Sequence, residues 1–174
     1  MTTVSGGLIT DLGNVIIAYW LSNITPENFY TIDYNAIPEV PDAFGILKHF
    51  NEVFEGNVTV AYKATGVARE KIDAWLDYHR FSARTGISTN RIVHSPGGRD
   101  KTFCLNQTSD TYCGTTIVVD DRLEVLSHFV GKVPHLFLFR PQLEEVDQFR
   151  STGALAHVIM VQSWKEIEKK MGIT

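Results

Sequence analysis

Nothing in the 174 residues approaches the ~20 consecutive apolar positions that a membrane-spanning helix needs. The opening residues, Met-Thr-Thr-Val-Ser-Gly-Gly, lack the charged start and apolar stretch of a secretory leader, so a cytoplasmic protein with no membrane partner is expected. Cysteine is scarce. Cys104 and Cys113 form neither a C-x-x-C pair nor a disulfide framework and are read as reduced, partly buried thiols. The six histidines show no H-x-x-x-H or H-E-x-x-H spacing, which argues against a zinc site. Gly97-Gly98-Arg99 does not match the phosphate-cradling G-x-x-x-x-G-K-[ST] pattern and reads as a turn. With 16 basic against 20 acidic residues there is no general pull toward nucleic acid, which is not indicated as a partner. Repeats, low-complexity segments and linkers are missing too, so residues 1–174 are expected to form one domain.

What is present is an alternation of strand and helix signals. Gly7 to Ile17 reads as a buried strand ending on Asp11, with Gly13 and Asn14 supplying a tight turn. Ala18 to Pro41 has no clean period and carries exposed-looking aromatics (Tyr19, Trp20, Phe29, Tyr30, Tyr34). It is read as an irregular excursion over the sheet rim that could serve as a rudimentary lid. A helix then starts at Pro41-Asp42, with Phe44, Leu47, Phe50, Val53 and Phe54 on one face, and stops near Gly56. Val58–Tyr62 is the second strand, Lys63 to Gly66 a turn, and Val67–His79 a helix with Val67, Ile72, Trp75, Leu76 and His79 inward. A short strand follows at Arg91–His94, a loop at Ser95–Arg99 and a helix start at Asp100-Lys101. Strands are expected at Thr115–Val119, His135–Phe139 and His157–Val161, and a helix at Leu123–Val130. Gln142–Arg150 reads as mostly loop or frayed helix, and Ser163 to Glu166 as a capping box opening the last helix. Such an order implies an α/β fold with a parallel sheet and right-handed crossovers.

Two strands end on carboxylates: the first on Asp11, the fourth on Asp120-Asp121. If these strands are neighbours, three acids converge on the rim where open α/β sheets bind ligands. Together they would repel and raise one another's pKa, and a hard divalent cation such as Mg²⁺ removes that penalty. Lys101 precedes the fourth strand and could pair with a phosphate or with Asp11. The plainer alternatives are that Asp120-Asp121 cap and charge the next helix, and that Lys101 is a solvated surface lysine.

Asp11-Leu12-Gly13-Asn14-Val15-Ile16, then Lys101, then Ile117-Val118-Val119-Asp120-Asp121-Arg122 resembles the haloacid dehalogenase (HAD) superfamily in order and spacing. Val161 to Ile167 also resembles the ending of many members. The resemblance implies a Rossmann-like sheet of order 5-4-1-2-3 flanked by helices, and Mg²⁺-dependent phosphoryl transfer through an aspartyl-phosphate. Carried over, Asp11 is the nucleophile. Metal would be held by Asp11, the Gly13 carbonyl, Asp120 and Asp121, and Lys101 would neutralise the phosphate and the nucleophile. A carboxylate nucleophile divides the transfer into two steps, and the cation and lysine stabilise the charge of the transferring group.

Two positions depart from the superfamily pattern. Gly13, in a D-x-G-N variant of the first motif, stands where phosphatases of this group usually have a second aspartate acting as acid/base. Such help is typically worth ~10²–10⁴-fold, so a slow hydrolase is expected. Tyr62 stands where the second strand should end on Ser or Thr. Tyr62, Lys63 and Thr65 are the substrate-binding candidates there, against the plainer readings of a strand aromatic and a solvated turn lysine. These departures support the alternative of a catalytically impaired domain that binds a partner or ligand. A dehalogenase would also tolerate Gly13 but would not need the Asp120-Asp121 pair. Little sequence is left over for a cap, so a minimal or absent cap, an open site around Asp11 and a bulky phosphorylated substrate are expected.

Overall fold

Six short strands alternate with helices and pair entirely in parallel, in the spatial order β3-β2-β1-β4-β5-β6. They are β1 (Leu8–Thr10), β2 (Val58–Tyr62), β3 (Ile92–His94), β4 (Ile117–Asp120), β5 (His135–Phe139) and β6 (Ile159–Val161). The computed structural model describes residues 6–25, 27–95, 100–106 and 114–173. The sheet contains the expected 5-4-1-2-3 arrangement and extends it by one edge strand, β6, beside β5. Cys113 and the Pro96-Gly97-Gly98-Arg99 part of the expected loop lie outside the described residues. Among those residues no helix is long and apolar enough to cross a membrane.

Alternation along the strands builds two apolar layers, as expected of a parallel sheet covered on both faces. Leu8, Val58, Val60, Ile117 and Val119 face α1 (Ala43–Val53), α2 (Val67–Tyr78) and α6 (Trp164–Met171). Ile9, Ala61, Val118, Leu136 and Leu138 face the other way, toward α4 (Leu123–Ser127) and α5 (Leu143–Phe149). Trp75 and Trp164 are fully buried in the first layer, each apolar body contributing roughly 1.5–3 kcal/mol. Ser163 caps α6 by accepting from the Glu166 amide, and the Glu166 carboxylate accepts from Gln162 N at 3.1 Å.

Several expectations are revised. Of residues 142–150, read from sequence as mostly loop or frayed helix, Leu143–Phe149 form the helix α5, and a further short helix, α3 (Phe81–Thr85), follows α2. Val67 starts α2 on its exposed side, where burial had been expected. The helix expected from Asp100 is a 3₁₀ turn, Thr102–Asn106, with the Asp100 carboxylate accepting from the Thr102 amide at 2.8 Å.

The excursion after β1 is a packed strap. Between Ala18 and Pro41 it forms two 3₁₀ turns, Tyr19–Leu21 and Tyr34–Ala36. Tyr34, Ile37 and Val40 are buried, and Trp75 Nε1 donates to the Ile37 carbonyl at 2.8 Å. His79 Nε2 lies 2.9 Å from the Asn35 carbonyl oxygen. The strap is thus fastened to α2 by side chains whose places in that helix the apolar period already marks.

A candidate active site at the carboxyl ends of β1 and β4

Register brings the acids together. Thr10 pairs with Val119, and the Asp11 amide donates to the Val119 carbonyl at 2.9 Å, continuing the ladder past β1. Asp11 therefore stands level with Asp120, the last residue of β4. Carboxylate oxygens of Asp11, Asp120 and Asp121 all lie within 4.8 Å of one another. Lys101 Nζ bridges two of them, at 2.5 Å from Asp11 Oδ1 and 2.8 Å from Asp120 Oδ2. The third acid is held by Asn14, whose side-chain amide donates to Asp121 Oδ2 at 3.0 Å. Asn14 has φ of +59°, a left-handed conformation that asparagine tolerates better than most residues.

The plainer capping reading of Asp120-Asp121 is not what the helix uses. Glu145 on α5 accepts from the Leu123 and Glu124 amides at 3.2 and 3.4 Å, and from Arg122 Nε at 3.2 Å. A carboxylate from a different helix thereby satisfies the first turn of α4 and leaves the Asp121 carboxylate facing the cluster. Asp120 makes one local bond, accepting from the Arg122 amide at 3.0 Å.

The cluster is short of positive charge: three acids surround one lysine. Burial lifts the Asp120 carboxyl above its usual range, and the charges of Asp11 and Asp121 add to the rise while Lys101 opposes it. Asp121 is pushed up to about 6, by burial first and then by the Asp11 charge, against the Asn14 hydrogen bond and the Arg122 and Lys101 cations. For Lys101 burial disfavours the ammonium, but Asp11 and Asp120 outweigh it and hold the group charged above its ordinary range. Clustered hard oxygen donors that resist ionising together have the chemistry that fits a small divalent cation such as Mg²⁺.

Gly13 has a steric reason to lack a side chain. A Cβ there would lie 2.9 Å from Tyr19 Cε2, so the Tyr19 ring occupies the space a larger residue would need. The Tyr19 hydroxyl is hydrogen-bonded to that of Tyr34. Burial, then Tyr34 and the charges of Asp11 and Asp121, keep the Tyr19 phenol protonated. With the strap overhead, the site is less open than expected: the Asp11 side chain is 14% exposed and Lys101 6%.

The other rim residues are not gathered into the cluster. The Tyr62 hydroxyl donates to Asp73 Oδ1 on α2 at 2.9 Å and lines a separate cavity of about 440 Å³ with Arg69, Arg80 and His94. Lys63 and Thr65 are exposed in the turn before α2. Sequence reasoning missed Glu145 and gave no contact in the cluster to Tyr19 or Asn14. Glu145 carries no local signal, Tyr19 is legible only as one aromatic of a possible lid, and Asn14 reads as a turn and motif residue with no partner assigned.

No family model and no curated protein matches the sequence. Solved structures do match. A protein of Burkholderia xenovorans described as a haloacid dehalogenase-like hydrolase superposes with a TM-score of 0.61 at 12% identity, covering 95% of each chain. The D,D-heptose 1,7-bisphosphate phosphatase of Burkholderia thailandensis gives 0.60 at 12% identity, covering 97% of this chain and 99% of its own. At that identity the likeness is one of fold, and it spans nearly the whole chain.

Proposed function

Starting from a fold shared with haloacid dehalogenase-like structures, we propose that this chain is a single-domain, Mg²⁺-dependent phosphatase that hydrolyses a phosphate monoester through an aspartyl-phosphate on Asp11. The observation that carries the reading is the convergence of Asp11, Asp120 and Asp121 around Lys101 at the rim of β1 and β4. Asp11, Asp120, Asp121 and the Gly13 carbonyl would hold the cation. Bound there, it would neutralise phosphate oxygens and the surplus carboxylate charge.

In the first half-reaction an Asp11 carboxylate oxygen bonds to phosphorus as the ester P–O bond breaks. Lys101, already beside Asp11, offsets the negative charge of the approaching phosphoryl oxygens and orients the attacking carboxylate. In the second, water breaks the aspartyl-phosphate, releasing inorganic phosphate and restoring the carboxylate. Gly13 has no proton to give, so the departing alkoxide takes its proton from solvent and turnover is slow. Lys63, Thr65 and the ring of Tyr62, whose hydroxyl is held by Asp73, remain candidates for contacts to the substrate outside the cluster. A cytoplasmic setting, proposed on the sequence, completes the reading.

A second reading, a binding domain with little catalysis, is favoured by the Tyr19 ring packed against Gly13 and by the Tyr62 hydroxyl engaged with Asp73. A panel of phosphate esters assayed for phosphate release with and without Mg²⁺ separates the two. Turnover that requires the ion supports the phosphatase, and no turnover of any ester at millimolar Mg²⁺ removes it in favour of the binding domain.

A further inference from the structure

The carboxyl end of β5, the strand next to β4, carries a feature the proposed chemistry does not use. Immediately after Phe139, Arg140 takes φ of +47°, a left-handed conformation uncommon for a residue other than glycine. Its amide donates to the Val161 carbonyl at 2.7 Å, which fixes that backbone in place. Its guanidinium carbon stacks 4.3 Å from the centroid of the Trp20 ring. Arg140 is exposed, and among the described residues its guanidinium has no carboxylate or hydrogen-bond partner. A stacked guanidinium uses its face and keeps its in-plane N–H donors for a planar or tetrahedral anion. Backbone strain retained at a ligand-facing rim is characteristic of functional positions.

The location ties this pair to the candidate site. Asp120 pairs with Leu138, so Arg140 lies one strand over and two residues further along. Strand spacing and rise put its backbone about 8 Å from that of Asp120. Trp20 directly follows Tyr19, whose ring packs against Gly13. Tyr19 and Trp20 thus connect the β1 turn to Arg140 at the tip of β5.

We propose that Arg140, held on Trp20, is a specificity-determining residue that receives a second anionic group of the substrate. The substrate class is then a phosphate ester bearing a further phosphate or carboxylate a short carbon chain away. The inference rests on the phosphatase reading above and adds to it what the far end of the substrate must be. Trp20 is the positioning residue, since it fixes the plane of the guanidinium.

The test compares three four-carbon phosphate esters ending in a hydroxyl, a second phosphate or a carboxylate, assayed on the full chain with Mg²⁺. For the wild type, kcat/KM is expected to be at least about tenfold higher for an anionic ester than for the hydroxyl ester. Whether the phosphate or the carboxylate ester is preferred identifies the source of the second anion. Arg140→Ala should erase the preference by raising KM for the anionic ester with kcat unchanged, while KM for the hydroxyl ester stays the same. Arg140→Gly, which suits the left-handed backbone, should behave as Arg140→Ala does, so the result does not depend on one variant folding. Arg140→Lys should recover part of the preference. Hydrolysis of all three esters at equal efficiency by the wild type, or the same loss on all three in both variants, overturns this inference and leaves the phosphatase standing. No hydrolysis of any ester overturns the phosphatase reading and this inference with it.

Discussion

The two halves of the sheet's carboxyl rim have used their polar residues in opposite ways. At β1 and β4, Asp11, Asp120 and Asp121 are drawn into one largely buried cluster bridged by a single lysine, an arrangement that costs stability unless a cation completes it. At β2 and β3, the Tyr62 hydroxyl is spent on Asp73, His94 Nε2 on the Ala64 carbonyl, and Lys63 and Thr65 are left to solvent. The first rim is electrostatically unbalanced, the second satisfied. Unbalanced buried charge marks places where chemistry is done, whereas satisfied pairs mark places where the chain is held.

Removing the cation from the first rim should have the largest effect. Lys101→Met leaves the three clustered acids without the lysine that bridges Asp11 and Asp120 and is expected to cost about 3–5 kcal/mol in denaturant unfolding, part of it recovered when Mg²⁺ is added. An unchanged midpoint would mean the acids are already balanced in some other way. Replacing the proposed nucleophile comes next. Asp11→Asn should reduce phosphate release by more than about a hundredfold with no loss of stability, because one repelling charge is removed. Residual activity above a tenth of the wild type would show that Asp11 is not the nucleophile.

Between the rims lies the turn under Tyr19. Gly13→Ala should cost about 1–3 kcal/mol as the ring is pushed aside, and adding Tyr19→Ala should remove much of that penalty, giving a non-additive cycle. Additive losses would put the strain elsewhere. The smallest effect belongs to the satisfied rim. Tyr62→Phe deletes one hydrogen bond to Asp73 and should lower stability by about 1 kcal/mol, with phosphate release unchanged within about threefold. A large loss of activity would assign the Tyr62 hydroxyl to the substrate and erase the contrast between the rims.

The sequence by itself determined the strands and their succession along the chain. Apolar β-branched runs such as Val58–Tyr62 and Ile117–Val119, punctuated by Gly56, Gly66 and Gly131, give alternating elements for which parallel pairing is the natural outcome. It also marked Asp11, Lys101, Asp120 and Asp121, because a carboxylate ending a buried strand is conspicuous along the chain. Tertiary structure decided what each of them could become. Asp11 meets Asp120 because the parallel register sets Thr10 against Val119, a pairing between residues far apart in the chain. Asp121 faces the cluster because Glu145, from a helix whose own sequence reads as mostly loop or frayed helix, caps α4 in its place. The Tyr62 hydroxyl stays out of the acid cluster because α2 offers Asp73, and Gly13 must stay bare because Tyr19 returns over it from the strap. Local periodicity fixes the direction in which a side chain leaves the backbone. Which partner meets it there depends on long-range packing, and that packing decided the chemistry of this rim.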